Sequence, residues 1–119
     1  MSQILAFHAT PDYSAQAAIN AELASLHAAN PISVLHTHDN SQGAQWARQW
    51  ATANGIPSVS WDNWLDGAGY VEMNERHAVW LAKSNPDQVL TAGTTASAVS
   101  VQAKAAAKPV VKAVTITKI

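Results

Sequence analysis

Ile4-Leu5-Ala6-Phe7-His8 opens the chain with four consecutive apolar residues and a histidine. A strand with one wet face alternates apolar and polar residues. An unbroken apolar run of this length therefore reads as a strand buried on both faces. Such a strand lies inside a parallel sheet covered by helices on either side.

The residues that follow continue the pattern. Pro11 marks a turn, Asp12 or Ser14 can cap a helix, and Ile19, Leu23 and Leu26 recur at helical spacing. Asn30-Pro31 closes that helix, and Ile32 to Leu35 reads as a second strand. Gly43 to Ala53 is a second helix, stopped by Asn54-Gly55 with Pro57 just beyond. Ser58 to Trp61 reads as a short third strand. Tyr70, Met73, His77 and Trp80 then fall on one helical stripe, which Asn85-Pro86-Asp87 ends. Val89-Leu90 is a fourth strand, Thr94 to Ala107 a last helix, and Val110 to Ile119 a final strand. Strands alternating with helices predict an α/β domain over residues 1–119. It is a Rossmann-like three-layer α/β/α arrangement with a mainly parallel sheet of about five strands.

Composition narrows the function classes. The chain has 119 residues, 48% of them hydrophobic and 13% charged, which suits a packed core and not a disordered segment. The absence of cysteine removes disulfides, thiol catalysis and thiolate-held metals together. A net charge of −1 gives no basis for strong nucleic-acid binding. No apolar run approaches membrane-spanning length and the first residues lack a signal pattern, so a cytoplasmic location is the expectation. Charge is uneven, with seven acids against Arg48 and Arg76 in residues 1–82, then five lysines against Asp87 alone. The basic final third either steers an anion or solubilises an alanine-rich helix.

In parallel sheets of this kind ligands sit beyond the carboxyl ends of the strands, where strand order reverses. Three strand-to-helix loops matter there: His8 to Tyr13, Thr37 to Ala44, and Thr91 to Ala96. Several weak motifs fall in and around them in order. They are Asp12-Tyr13-Ser14, Gly43-Ala44, Trp50-Ala51, Gly55-Ile56-Pro57, Asp62 to Trp64, Ala68-Gly69, Asn74, Pro86-Asp87-Gln88-Val89-Leu90, Gly93-Thr94 and Lys108-Pro109-Val110. In that order and spacing the chain, from about Ile4 to Val114, resembles the SLOG superfamily. The likeness is to its short YspA-like branch, whose relatives include the DprA and LOG (lysine-decarboxylase-like) proteins. The resemblance implies a Rossmann-like domain holding a nucleotide or nucleotide-derived ligand. The chain also departs from the family. His38 and Asp39 stand where two glycines are usual, Gln45 replaces an acidic residue, and only Gly93 survives of the third loop's glycines. The arginine–glutamate pair of the LOG enzymes has no clear counterpart.

The ligand-binding residues expected from loops and resemblance together are His8, Thr10, Asp12, His38, Asp39, Gly43, Asn74, Gly93, Thr94 and Thr95. Thr94 and Thr95 open a helix and would hold an anion through hydroxyls and backbone N–H groups, or simply cap it. The resemblance gives Asn74 its place in the cleft. His8, His36, His38 and Asp39 are of the residue types that bind metals or transfer protons, with His36 and His38 on one side of an extended chain. Buried or solvated histidines are the plainer reading, so no metal, cofactor or catalytic residue is assigned.

Five tryptophans (Trp46, Trp50, Trp61, Trp64, Trp80) divide among core packing, a stacking surface beside the pocket and a protein contact. Three functions follow. The first is a small-ligand-binding domain for a nucleotide-related or other polar metabolite. The second is a protein-interaction or accessory factor, of the kind a phage encodes, with a vestigial pocket and a protein or homo-oligomeric partner met through exposed tryptophan. The third is a nucleotide or N-glycoside hydrolase with His38 and Asp39 as acid and base.

Overall fold

The computed structural model describes residues 2–38, 40–61, 73–94, 101–102, 105 and 115–119, with 73–76 described as backbone only. The elements run β1 (Gln3–Ala9), α1 (Gln16–Ala29), β2 (Ile32–Thr37), α2 (Gln42–Ala53), β3 (Ser58–Ser60), α3 (Met73–Ser84), β4 (Gln88–Ala92) and β5 (Thr115–Lys118). Val101, Gln102 and Ala105 are helical and belong to the helix expected between β4 and β5. The five strands form one sheet in the order β3-β2-β1-β4-β5, and every pairing is parallel. This is the α/β, Rossmann-like architecture that the opening apolar run implies. The order reverses at β1, which has β2 on one side and β4 on the other.

β1 is central because both its faces are apolar. Leu5, Phe7 and Ala9 point into a core shared with Ile19 and Leu23 of α1 and Ala47 and Ala51 of α2. Ala6 points the other way, to Trp80 and Leu81 of α3, Val89, Val101 and Ala105. Asp87 fastens the start of β1: its carboxylate accepts from the Ile4 N–H at 2.8 Å, and its own N–H donates to the Ile4 carbonyl at 2.9 Å.

The helix ends explain several sequence signals. Ser41 caps α2 by accepting from the Ala44 N–H at 3.2 Å. At the other end Gly55 adopts a φ of 70°, the Ile56 N–H reaches the Ala51 carbonyl, and the Gly55 N–H reaches Thr52. That pair of bonds is a Schellman closure, which needs a residue at positive φ. Asn85, at φ 48°, ends α3 in the same left-handed region. The start of α1 differs from expectation. Ala15 occupies the cap position with no side-chain bond, because a turn closed by the Tyr13 N–H on the Thr10 carbonyl carries Asp12 and Ser14 outward. No helix among the described residues is long and apolar enough to cross a membrane.

Candidate functional site

The carboxyl ends of β1 and β4 carry a cavity of about 230 Å³ lined by Thr10, Asp12, Tyr13, Ser14, Ala15, Gly93 and Thr94. Four expected ligand residues (Thr10, Asp12, Gly93 and Thr94) therefore meet there. Their arrangement follows from the backbone. Thr10 continues β1 past its last residue, donating its N–H to the Ala92 carbonyl at 2.9 Å. Gly93 leaves β4 with a φ of 99° and donates its N–H to the Ile119 carbonyl at 3.1 Å. A Cβ at Gly93 would run into the Thr10 side chain, so the first and third loops touch at this glycine. The wall is mixed in chemistry, with the Asp12 carboxylate, the hydroxyls of Tyr13, Ser14 and Thr94, and the uncapped first turn of α1.

Gly43 serves a different purpose. It is buried, and a Cβ there would overlap that of Ala9. Its smallness lets the start of α2 close onto the end of β1. Asp39, Thr95 and the side chain of Asn74 lie outside the described residues.

His8 and His38 do not line that cavity. They meet on the α3 side of the sheet, and the residue that joins them is His77 of α3. The three are buried at 2%, 8% and 1% exposure. Ring centroids lie 6.1 Å apart for His8–His38, 5.2 Å for His8–His77 and 4.7 Å for His38–His77. One ring nitrogen from each lies within 4.8 Å of the other two. Strand register accounts for the meeting. Ala6 pairs with His36 and His8 pairs with Thr91, so His38 continues the row beside His8 just past the end of β2. α3 crosses above that row and supplies His77. The Trp80 ring, one helical turn on, packs 5.5 Å from His38.

No family model and no curated protein matches this chain.

His36 shares its face with His38, as spacing two requires, but it does not join the cluster. Its Nδ1 accepts a 2.9 Å hydrogen bond from the Trp61 indole N–H, one residue before the end of β2. Burial pushes its pKa below the usual 6.5, because the charged ring would lose its water. The grouping of His8, His36 and His38 suggested by the sequence is corrected to His8, His38 and His77.

The tryptophans are also redistributed. Trp80 is fully buried, and Trp46, Trp50 and Trp61 are partly buried against the two cores. None of these four offers the exposed indole expected of a protein contact, and Trp64 lies outside the described residues.

A second depression, about 600 Å³, runs along α2 between Asn40, Gln45, Arg48, Gln49, Thr52 and Ala53. It is larger than the first but lies away from the point where strand order reverses. Arg48 is its charged member and was not singled out by sequence. The guanidinium donates to the Thr37 hydroxyl at 2.8 Å and the Asn40 side-chain oxygen at 2.6 Å, so it buttresses the end of β2. The signal for His77 was present as the Tyr70-Met73-His77-Trp80 stripe, but a stripe alone says only that the histidine faces the sheet.

Proposed function

We propose that this chain is a small-ligand-binding module of SLOG-like descent whose ligand is a nucleoside or a related sugar-bearing metabolite. The observation that carries the reading is the cavity between Thr10, Asp12, Ser14, Gly93 and Thr94, at the carboxyl ends of the two strands where sheet order reverses. That is where open α/β sheets place ligands. The lining supports the ligand class. Hydroxyls and one carboxylate suit the donors and acceptors of a sugar, since a carboxylate accepts strong charge-assisted hydrogen bonds from sugar hydroxyls. A carboxylate repels phosphate, so Asp12 favours the sugar end of the ligand over its phosphates. A volume of about 230 Å³ falls below the roughly 300–1,000 Å³ of whole-ligand pockets, so the cavity fits one portion of such a molecule.

The interaction-factor alternative loses its anchors with the burial of Trp80 and the partial burial of Trp46. A hydrolase using His38 and Asp39 has one member buried among imidazoles and the other outside the described residues.

The test is a thermal-shift and calorimetric screen of tag-free protein, in chelator-containing buffer, against ribonucleosides, nucleotides, nucleotide sugars and free pentoses. A ligand present at a hundredfold its Kd adds about 2.7 kcal/mol to the native state, which raises Tm by several degrees in a domain of this size. We expect a sugar-bearing compound to do so, and Asp12→Asn or Thr94→Ala to weaken it about tenfold with Tm of the free protein little changed. A flat screen at millimolar concentrations, or a hit indifferent to both variants, would sink the proposal.

A further inference from the structure

We propose that His8, His38 and His77 form a binding site for a single divalent transition-metal ion, with zinc the best match. The inference is independent of the nucleoside reading, since it concerns the other face of the sheet and none of the cavity residues.

The chain holds five histidines, and three of them, far apart in sequence, converge at one buried point. Each comes from a different element, namely the end of β1, the residue just beyond β2, and α3. The surroundings on this face are apolar: Ala6, Val89, Leu81 and Trp80 are all buried. Three aliphatic side chains would fill such a space without desolvating any polar group. Three imidazoles instead bring six ring nitrogens out of water.

The geometry suits an ion. Nitrogens no more than 4.8 Å from one another place the centre of their triangle within about 2.8 Å of each, against the roughly 2.0–2.1 Å of a zinc–imidazole bond. Closing that gap takes a shift of less than about 1 Å of each nitrogen toward the centre. The donor set selects the metal class. Neutral nitrogen ligands without thiolate or carboxylate suit zinc, copper or nickel, and disfavour magnesium and calcium, which need oxygen. Three protein ligands leave the fourth position of a tetrahedron open, which distinguishes a reactive or ligand-receiving zinc site from a closed structural one. Neutral imidazoles do nothing to cancel the ion's double charge, so that fourth position favours an anion.

Two neighbours fit this arrangement. Thr91, next in the row beside His8, accepts a 2.8 Å hydrogen bond from the Gln102 side-chain amide and keeps its own O–H as a donor. The Trp80 indole N–H is buried and has no hydrogen-bond acceptor among the described residues, although its ring packs on His38. An anion or water completing the metal's coordination would give a donor in this neighbourhood a partner. His38 keeps more contact with solvent than His8 or His77.

The experiment uses tag-free protein stripped with chelator and exchanged into clean buffer, then titrated with zinc and with cobalt(II) as a visible probe. We expect one equivalent of either metal, a cobalt d–d band that zinc displaces, and a rise in Tm with zinc. Imidazole-detected ¹⁵N NMR of the wild-type protein should show three histidine side chains shifting and His27 and His36 unmoved. This readout needs no variant and survives any failure of a variant to fold. His77→Gln and His38→Gln should weaken zinc by about a hundredfold or more, while His36→Gln leaves it intact. Retention of less than about a tenth of an equivalent of zinc after gel filtration would overturn the proposal. So would zinc affinity unchanged in folded His77→Gln, or NMR shifts centred on His27 or His36. A failed nucleoside screen leaves each of these results standing.

Discussion

Replacing Gly93 with alanine tests the placement of the two loops that make the cavity. Gly93 sits at φ 99°, a conformation that L-residues avoid, and a Cβ there would meet the Oγ1 and Cγ2 of Thr10. Two costs follow and can be separated. Backbone strain alone contributes about 1–2 kcal/mol. Overpacking against a buried neighbour adds about 1–3 kcal/mol, since Thr10 is nearly inaccessible and its N–H is tied to Ala92. Gly93→Ala should therefore lose about 2–5 kcal/mol from a total that for a chain of this length is roughly 6–18 kcal/mol. The drop in Tm would be on the order of 10–20 °C. Thr10→Ala removes both clashing atoms but leaves the strain. In Thr10→Ala/Gly93→Ala most of the steric part should be relieved, leaving only the close approach of the Thr10 Cβ and giving a favourable coupling of about 1–2 kcal/mol in a double-mutant cycle. Urea and thermal denaturation of all four proteins supply the cycle. Strict additivity, or a Gly93→Ala variant as stable as wild type, would mean that the loops do not meet as described and that the cavity is wrongly drawn.

Three further outcomes are expected. Ser41→Ala removes the α2 cap and should cost about 1 kcal/mol by urea denaturation, with Ser41→Asp restoring most of it. Asp87→Ala frees the Ile4 N–H at the start of the central strand; about 1.5–3 kcal/mol should be lost, and hydrogen exchange at Ile4 should accelerate well above that of Leu35. His36 has a lowered pKa in the folded state, so the unfolded chain binds its proton first as pH falls. Its contribution is complete above about pH 6.5 and is lost as pH drops from there through the lower folded value. In chelator-containing buffer, Trp61→Phe, which removes the donor to Nδ1, should change the His36 titration seen by NMR, whereas an unmoved titration would discount the Trp61 bond.

Much of the fold could be read locally because the deciding signals are local. The unbroken Ile4–Phe7 run needs no partner to announce a strand apolar on both sides, and Asn54-Gly55 carries its own stop in the positive φ that glycine permits. The loops of the cavity were placed by the same logic, since each follows a strand in a parallel sheet. Local rules failed where the outcome depends on how far elements slide past one another. Asp12 and Ser14 have the right chemistry to cap α1, yet the Thr10–Tyr13 turn moves the cap to Ala15. Gly43 stood among the expected ligand-binding residues by its position in the second loop. Its backbone instead lies against Ala9, a contact that appears only once α2 is docked on β1. Which histidine joins His8 and His38 was beyond reach for the same reason. His36 and His77 both face this side of the sheet, and the choice is made by strand register and by where α3 crosses the strand ends.

The two halves of the carboxyl edge then differ in how they break the pattern of their surroundings. The cavity carries polar groups where a solvent-facing rim should carry them, so hydroxyls and a carboxylate there break no local rule, and only their convergence beside Gly93 speaks for a ligand. The histidine cluster is different in kind. It stands one row above Ala6 and Val89, on a face that α3 covers with Trp80 and Leu81. Every local argument there asks for aliphatic side chains. A sequence that folds cleanly keeps its local and global preferences in agreement, and the positions where it departs from them are where function is to be sought. Three imidazoles under one helix, at the same carboxyl edge of the sheet as the cavity, are the largest such departure among the described residues. For that reason the metal titration says more about this protein than any further search of its surface.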